Sequence, residues 1–304
     1  MVLTINFDVA ELHRRASHWF GTLVHQIGID QWHLPTPCAD WDVRALVNHV
    51  TGEALWTPPL MARQTIEDVG DRFDGDVLGG TPRDAWDTAA AEAQEAIQAS
   101  CALDRTVHLS FGDAPATEYV SQLFADHLVH AWDLAEAIGA DTRMDRELVT
   151  ACAAWFDTVE SMYRDTGAIG PRPPIDPGAD EQVVLLARFG RSATLAAVER
   201  FNAGFAHRDV DAIMAQMTED CVFESTGPAP DGRRFEGRTA VRRCWEELFA
   251  AAPSARFEFI ETLVSGDRAV VRWTYHWDGG HVRGVDVVRV RDHKVAEKLS
   301  YVKG

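Results

Sequence analysis

FADHLVHAWDLA, residues 124–135, lies in a run from 116 to 138 whose apolar positions recur every three or four residues, the spacing of an amphipathic helix. Residues four apart share a helix face, so Asp126 and His130 fall in one stripe with Leu123 and Leu134. That stripe turns toward a helical interior, where a buried aspartate requires a partner. His130 can be that partner by hydrogen bond, or the two can share a metal ion. His127 points about 100° away from Asp126.

WDVRALVNHV, residues 41–50, supplies the third member. Asp42 can cap a helix that runs through His49 toward Leu55, with Pro58 and Pro59 expected to end or kink it. His49 on this helix can reach the point on which Asp126 and His130 converge. Two nitrogens and one carboxylate oxygen leave a tetrahedral divalent ion one open position, the composition of a catalytic rather than a structural zinc site.

Further helices are expected over 8–28, 83–101 (begun by Thr81 and Pro82) and 145–166, which makes an all-α up-and-down four-helix bundle the expected fold of this half. GPRPPIDPGAD, residues 170–180, breaks regular structure. After about residue 192 a helix over 192–206 precedes short alternating runs, CVFES, ARFEFIETLV, RAVVRWTYHW and HVRGVDVVRVRD. Helices followed by antiparallel strands predict an α+β domain with a curved sheet. The expected domains are 1–191 and 192–304.

Charge divides at the same place. Residues 1–191 carry 30 acids against 13 arginines and no lysine, whereas 192–304 carry 17 acids against 16 bases, for a net charge of −18 overall. No clustered basic patch exists to neutralise phosphates, which argues against nucleic acid as a partner. No apolar run approaches a membrane span, and five widely spaced cysteines without a CxxC pair fit a reducing cytoplasm. Cys38 lies in the loop before the His49 helix with no neighbouring base evident in the sequence. Trp41, Trp132 and Trp155 read as bundle packing.

In the second half, a two-residue turn at Gly279-Gly280 would pair Asp278 with His281 and set Trp277 opposite Val282, Tyr275 opposite Gly284 and Trp273 opposite Asp286. Trp273, Tyr275 and Trp277 then form an aromatic wall holding the carboxylate of Asp286, with Gly284 making room. Such a face suits acid/base chemistry on a flat ligand. Glu224 and Tyr301 are further pocket candidates, and His276 and His281 fall near the turn at the surface.

WHLPTPCADWDVRALVNHV, DHLVHAWDLAEAIGA and DEQVVLLARFGR, in that order, resemble the N-terminal domain of mycothiol-dependent maleylpyruvate isomerase, a DinB-like bundle. The resemblance implies a four-helix bundle carrying a divalent metal, usually zinc, that activates a low-molecular-weight thiol of actinobacteria such as mycothiol. It places the family's ligands on His49, Asp126 and His130, with Asp126 standing where the isomerase has the longer Glu. Residues 192–304 are similar to the SnoaL-like polyketide cyclases of the ketosteroid isomerase fold, which implies a curved-sheet cone, a small-molecule ligand and pairing into homodimers.

Three functions follow as expectations. The first is a metal-dependent thiol transferase or isomerase whose second domain binds or shapes the organic substrate. The second is an isomerase or cyclase working through Asp286 on a scaffold bundle. The third is a non-catalytic small-molecule binding protein.

Overall fold

The computed structural model describes residues 8–38 and 41–303, which divide into two compact units, the first ending at Ala168 and the second beginning at Ile169. The first unit contains α1 (Val9–Gln26), α2 (Val43–Met61), the single turn α3 (Ile66–Val69) and α4 (Pro82–Gln98). A hairpin of β1 (Thr106–Leu109) and β2 (Gly112–Pro115) precedes α5 (Ala116–Ile138) and α6 (Arg146–Asp165). Asp8 and Asp42 cap α1 and α2 by accepting backbone N–H bonds, and Gly139 closes α5 in the left-handed region.

Each of α1 and α2 packs against both α4 and α5. Phe20, Leu46, Val50, Trp86 and Leu134 form one apolar cluster, and Leu60, Ile97, Tyr119 and Leu123 form another. Two local expectations are corrected. The β1–β2 hairpin stands in a half read as strandless, because four-residue strands are too short to announce a period. Helix α2 also runs on through Pro58 and Pro59. The prolines cost it two N–H donors, but Pro59, Leu60 and Met61 are buried, and that burial favours the extra turn.

On another face of α5, the rings of His13 and His127 lie 4.9 Å apart, with His127 against Phe20 and Trp86, and both are buried. Burial pushes His13 down to about 4 and His127 down to about 3. A base with a depressed folded pKa stabilises fully above its unfolded value. Its contribution is lost as pH falls from about 6.5 toward 4, an amount of about 3 kcal/mol for His13. Urea midpoints should therefore decline less steeply over that window in His13→Leu than in the parent chain, and parallel declines would refute this.

The second unit contains α7 (Glu181–Arg188), α8 (Ala193–Ala206), α9 (Val210–Ala215), β3 (Met217–Glu224), β4 (Arg234–Glu236), α10 (Gly237–Ala251), β5 (Arg256–Ser265), β6 (Arg268–Trp277), β7 (Gly280–Arg291) and β8 (Lys294–Val302). One six-stranded sheet has the order β4-β3-β8-β7-β6-β5. All its pairs are antiparallel except β3–β8, which is parallel, a departure from the antiparallel expectation. Register shifts in β3–β8, β5–β6 and β7–β8 bend the sheet around a core of Phe201, Phe205, Trp245, Val271 and Val288. No helix among the described residues is long and apolar enough to cross a membrane.

Candidate functional site

Helices α2 and α5 bring His49, Asp126 and His130 to one point. Asp126 Oδ1 lies 3.5 Å from His49 Nε2 and 3.3 Å from His130 Nε2, and the two imidazoles stand nearly perpendicular at 78° with centroids 5.1 Å apart. Ligand atoms at about 2.0–2.1 Å from a tetrahedral zinc are about 3.3–3.4 Å from one another, which is the spacing seen around Asp126 Oδ1. Asp126 Oδ2 is buried without a hydrogen-bond partner. Convergent nitrogens, a carboxylate and an unsatisfied oxygen fit a single divalent cation.

The electrostatics agree with a strongly interacting set. Burial alone would raise Asp126, but the charges of His130 and His49 hold it well below the carboxylate range. Burial alone would lower His130 and His49, and the Asp126 carboxylate raises both.

Four neighbours lay outside the sequence reading or were given another role in it. Glu53, one turn beyond His49, is raised by burial and by the charge of Asp126. Its H-x3-E spacing mirrors the D-x3-H of α5, a signal available in the sequence. Trp41, expected as packing, sets its ring 4.8 Å from that of His49 and 5.8 Å from that of His130. Cys38, which showed no nearby base, has its Sγ 3.7 Å from His130 Nδ1 and donates to Asp133 Oδ2 at 3.1 Å. Asp133 in turn lies 3.0 Å from His130 Nδ1.

Trp132 is fully buried, and Trp155 donates its indole N–H to Glu118 at 3.1 Å, so both belong to the framework.

In the second unit the hairpin register differs from expectation. The turn is Asp278-Gly279, with Gly279 at φ 91°, so Trp277 pairs with Gly280, Tyr275 with Val282, Trp273 with Gly284 and Val271 with Asp286. Asp-Gly is the stronger turn signal, and Gly279 supplies the positive φ that the second turn position needs. A two-residue shift preserves the face, so Trp273, Tyr275, Trp277, Gly284 and Asp286 remain on one side of the sheet. Trp273 is buried and Tyr275 half-buried, whereas Trp277 is 43% exposed at the hairpin end.

Asp286 is 2% exposed and is held by Lys298 Nζ at 2.8 Å and by Ser300 Oγ, which donates at 2.6 Å. Lys298 also lies 5.1 Å from the Phe223 ring and 5.7 Å from the Phe205 ring. Neither Lys298 nor Ser300 was singled out in the sequence, because their inward alternation on β8 shows only once the register is known. Glu224 instead pairs with Arg234, Tyr301 is exposed, and His276 bonds Glu258.

A Cβ on Gly284 would come within 2.2 Å of the Trp273 ring and 2.5 Å of the Tyr301 carbonyl. Gly284→Ala should therefore destabilise the second unit by about 1–3 kcal/mol through overpacking. An unchanged urea midpoint would show that the Trp273 ring can move aside.

Residues 13–135 match the family model of the mycothiol maleylpyruvate isomerase N-terminal domain, and residues 198–298 match that of the SnoaL-like domain. Two uncharacterized proteins of Mycobacterium tuberculosis, from strains CDC 1551 / Oshkosh and ATCC 25618 / H37Rv, are each 34% identical over 181 residues, which is 58% of this chain and 88% of the relative. Among solved structures, an NTF2-like protein of unknown function from Mesorhizobium loti is 44% identical, with 37% of this chain and 92% of its own covered and a TM-score of 0.35. A SnoaL-like protein of unknown function from Burkholderia thailandensis is 20% identical, with 37% and 96% covered and a TM-score of 0.32.

Proposed function

We propose that this chain, which belongs to the mycothiol maleylpyruvate isomerase N-terminal domain family through residues 13–135 and carries a SnoaL-like domain over 198–298, is a metal-dependent thiol transferase or isomerase acting on a small organic substrate. The observation that carries the reading is the donor set itself, two imidazole nitrogens within 3.5 Å of one carboxylate oxygen whose sister oxygen is buried and unpartnered. His49, Asp126 and His130 hold the cation, for which zinc is the choice that suits nitrogen and oxygen donors with an open position. When bound, it stabilises a thiolate, making a low-molecular-weight thiol of the mycothiol type nucleophilic at neutral pH.

The chain's own residues do the remaining work. His49 and His130 present Nε2, Asp126 balances the charge, and the Trp41 ring lies beside the two imidazoles. Glu53 brings a second carboxyl group to the same end of α2.

A second reading is favoured by the buried Asp286 and Lys298 and the half-buried Ser300 on the sheet face of the aromatic wall, a set suited to an isomerase or cyclase in which Asp286 moves a proton. One experiment separates the two. Chelator-stripped chain should lose turnover of a thiol with a panel of enones and other electrophiles, regain it on reloading with zinc, and keep it in Asp286→Asn. Turnover that survives stripping but disappears in Asp286→Asn would replace the first reading with the second.

A further inference from the structure

We propose that Asp133, assisted by Cys38, is the positioning group that fixes the ring of His130, and that Cys38, His130 and Asp133 form a hydrogen-bonded support rather than a second metal site. The inference rests on the metal reading of His49, Asp126 and His130. Cys38, His130 and Asp133 by themselves bring donor atoms within 4.8 Å of one another, as the first set does, so geometry alone leaves two candidate cation sites sharing one histidine. The chemistry of that histidine separates them.

A neutral imidazole has one N–H and one lone pair. Nδ1 of His130 lies 3.0 Å from Asp133 Oδ2, and Nε2 lies 3.3 Å from Asp126 Oδ1. Asp133 is 0% exposed, so its carboxylate must be met by donors. Two are in place on the same oxygen, the Nδ1–H of His130 and the S–H of Cys38 at 3.1 Å. With the proton on Nδ1, the lone pair is left on Nε2, facing His49 and Asp126. A cation behind the ring would need the lone pair on Nδ1, which moves the proton to Nε2 and takes that nitrogen from the first set, and would need Cys38 to lose its proton; held at both nitrogens, His130 would have to become an imidazolate.

The local sequence builds this support. Positions 126, 130 and 133 recur on one face of α5, so ligand, shared histidine and support lie in line. The loop before α2 is tied by Thr36, whose hydroxyl donates to the Trp41 carbonyl at 2.9 Å and accepts from the Cys38 backbone N–H at 3.2 Å. That loop delivers Cys38 behind His130 and Trp41 beside its ring.

The test is a cobalt titration of the metal-free full chain. Wild type should bind one Co²⁺ per chain with no thiolate-to-cobalt charge-transfer band. Asp133→Asn should weaken binding about 10–100-fold, because a side-chain amide can donate to Nδ1 and leave the proton on Nε2. Asp133→Glu should recover part of that loss, and Cys38→Ser, which keeps a donor, should bind as wild type does. Circular dichroism and the thermal midpoint, read alongside, confine the comparison to folded protein.

Wild-type affinity in folded Asp133→Asn would overturn the proposal, as would a thiolate band that disappears in Cys38→Ser. Either result, with cobalt binding still lost in His49→Ala, leaves the metal reading standing. Absence of cobalt binding by wild type would overturn both.

Discussion

Replacing His49 with alanine should take the metal content of the purified chain from about one ion to none. His49 is the sole donor from α2 in the convergent set, and without it only Asp126 and His130 of α5 remain, separated by 3.3 Å on one helix. Two donors from a single helix turn hold a divalent ion weakly, since water must complete the shell. Metal content by plasma mass spectrometry, with helical content by circular dichroism, measures both loss and folding. His127→Ala is the internal control, because its ring lies with His13 on a different face of α5, about 100° around the helix from Asp126. Equal metal in wild type and His49→Ala would remove the site from these three residues, and loss in His127→Ala alone would move it to that face of α5.

Lys298→Met should destabilise the second unit by about 3–5 kcal/mol, since it leaves the carboxylate of Asp286 buried without its counter-charge. The ion pair is 2.8 Å long, with the lysine 7% and the aspartate 2% exposed. Ser300 remains to donate one hydrogen bond, which is too little to stabilise a full negative charge on a carboxylate that is 2% exposed. The double replacement Asp286→Asn with Lys298→Met should regain most of the loss, because neutral groups of similar size carry no such desolvation cost. Denaturant unfolding of all three chains, resolved for the second unit, gives the comparison. Additive losses in the double variant would mean that the two residues act separately and that the pair is not the stabilising unit.

Much of this was legible in the chain. The bounds of α5 and the faces of its residues follow from a 3.6-residue period sustained over six turns, so Asp126 and His130 fell together and His127 on a different face. The convergence of His49 needed only a second helix and a resemblance. Partners brought together by packing were harder to see. Asp133 shares the spacing of Asp126 and His130, but its burial and the approach of Cys38 depend on a proline-rich loop that no period describes.

The hairpin illustrates a different limit. DGG offers two overlapping two-residue turns, and the choice between them moves every cross-strand pair without changing the face. The aromatic wall was therefore readable while the neighbours of Asp286 were not. Lys298 lay out of view because its place beside Asp286 depends on the register of the β7–β8 hairpin, in which Lys298 pairs with Val288 and Ser300 with Asp286.

The loop carrying Cys38 and Trp41 grips His130 from two directions, one residue behind the ring and the other beside it. Displacement of that loop would loosen the histidine and uncover it in the same motion. On the metal reading, a ligand bulky enough to lift the indole would also disturb the histidine that Cys38 backs, so access to the site and the hold on an ion there would be coupled.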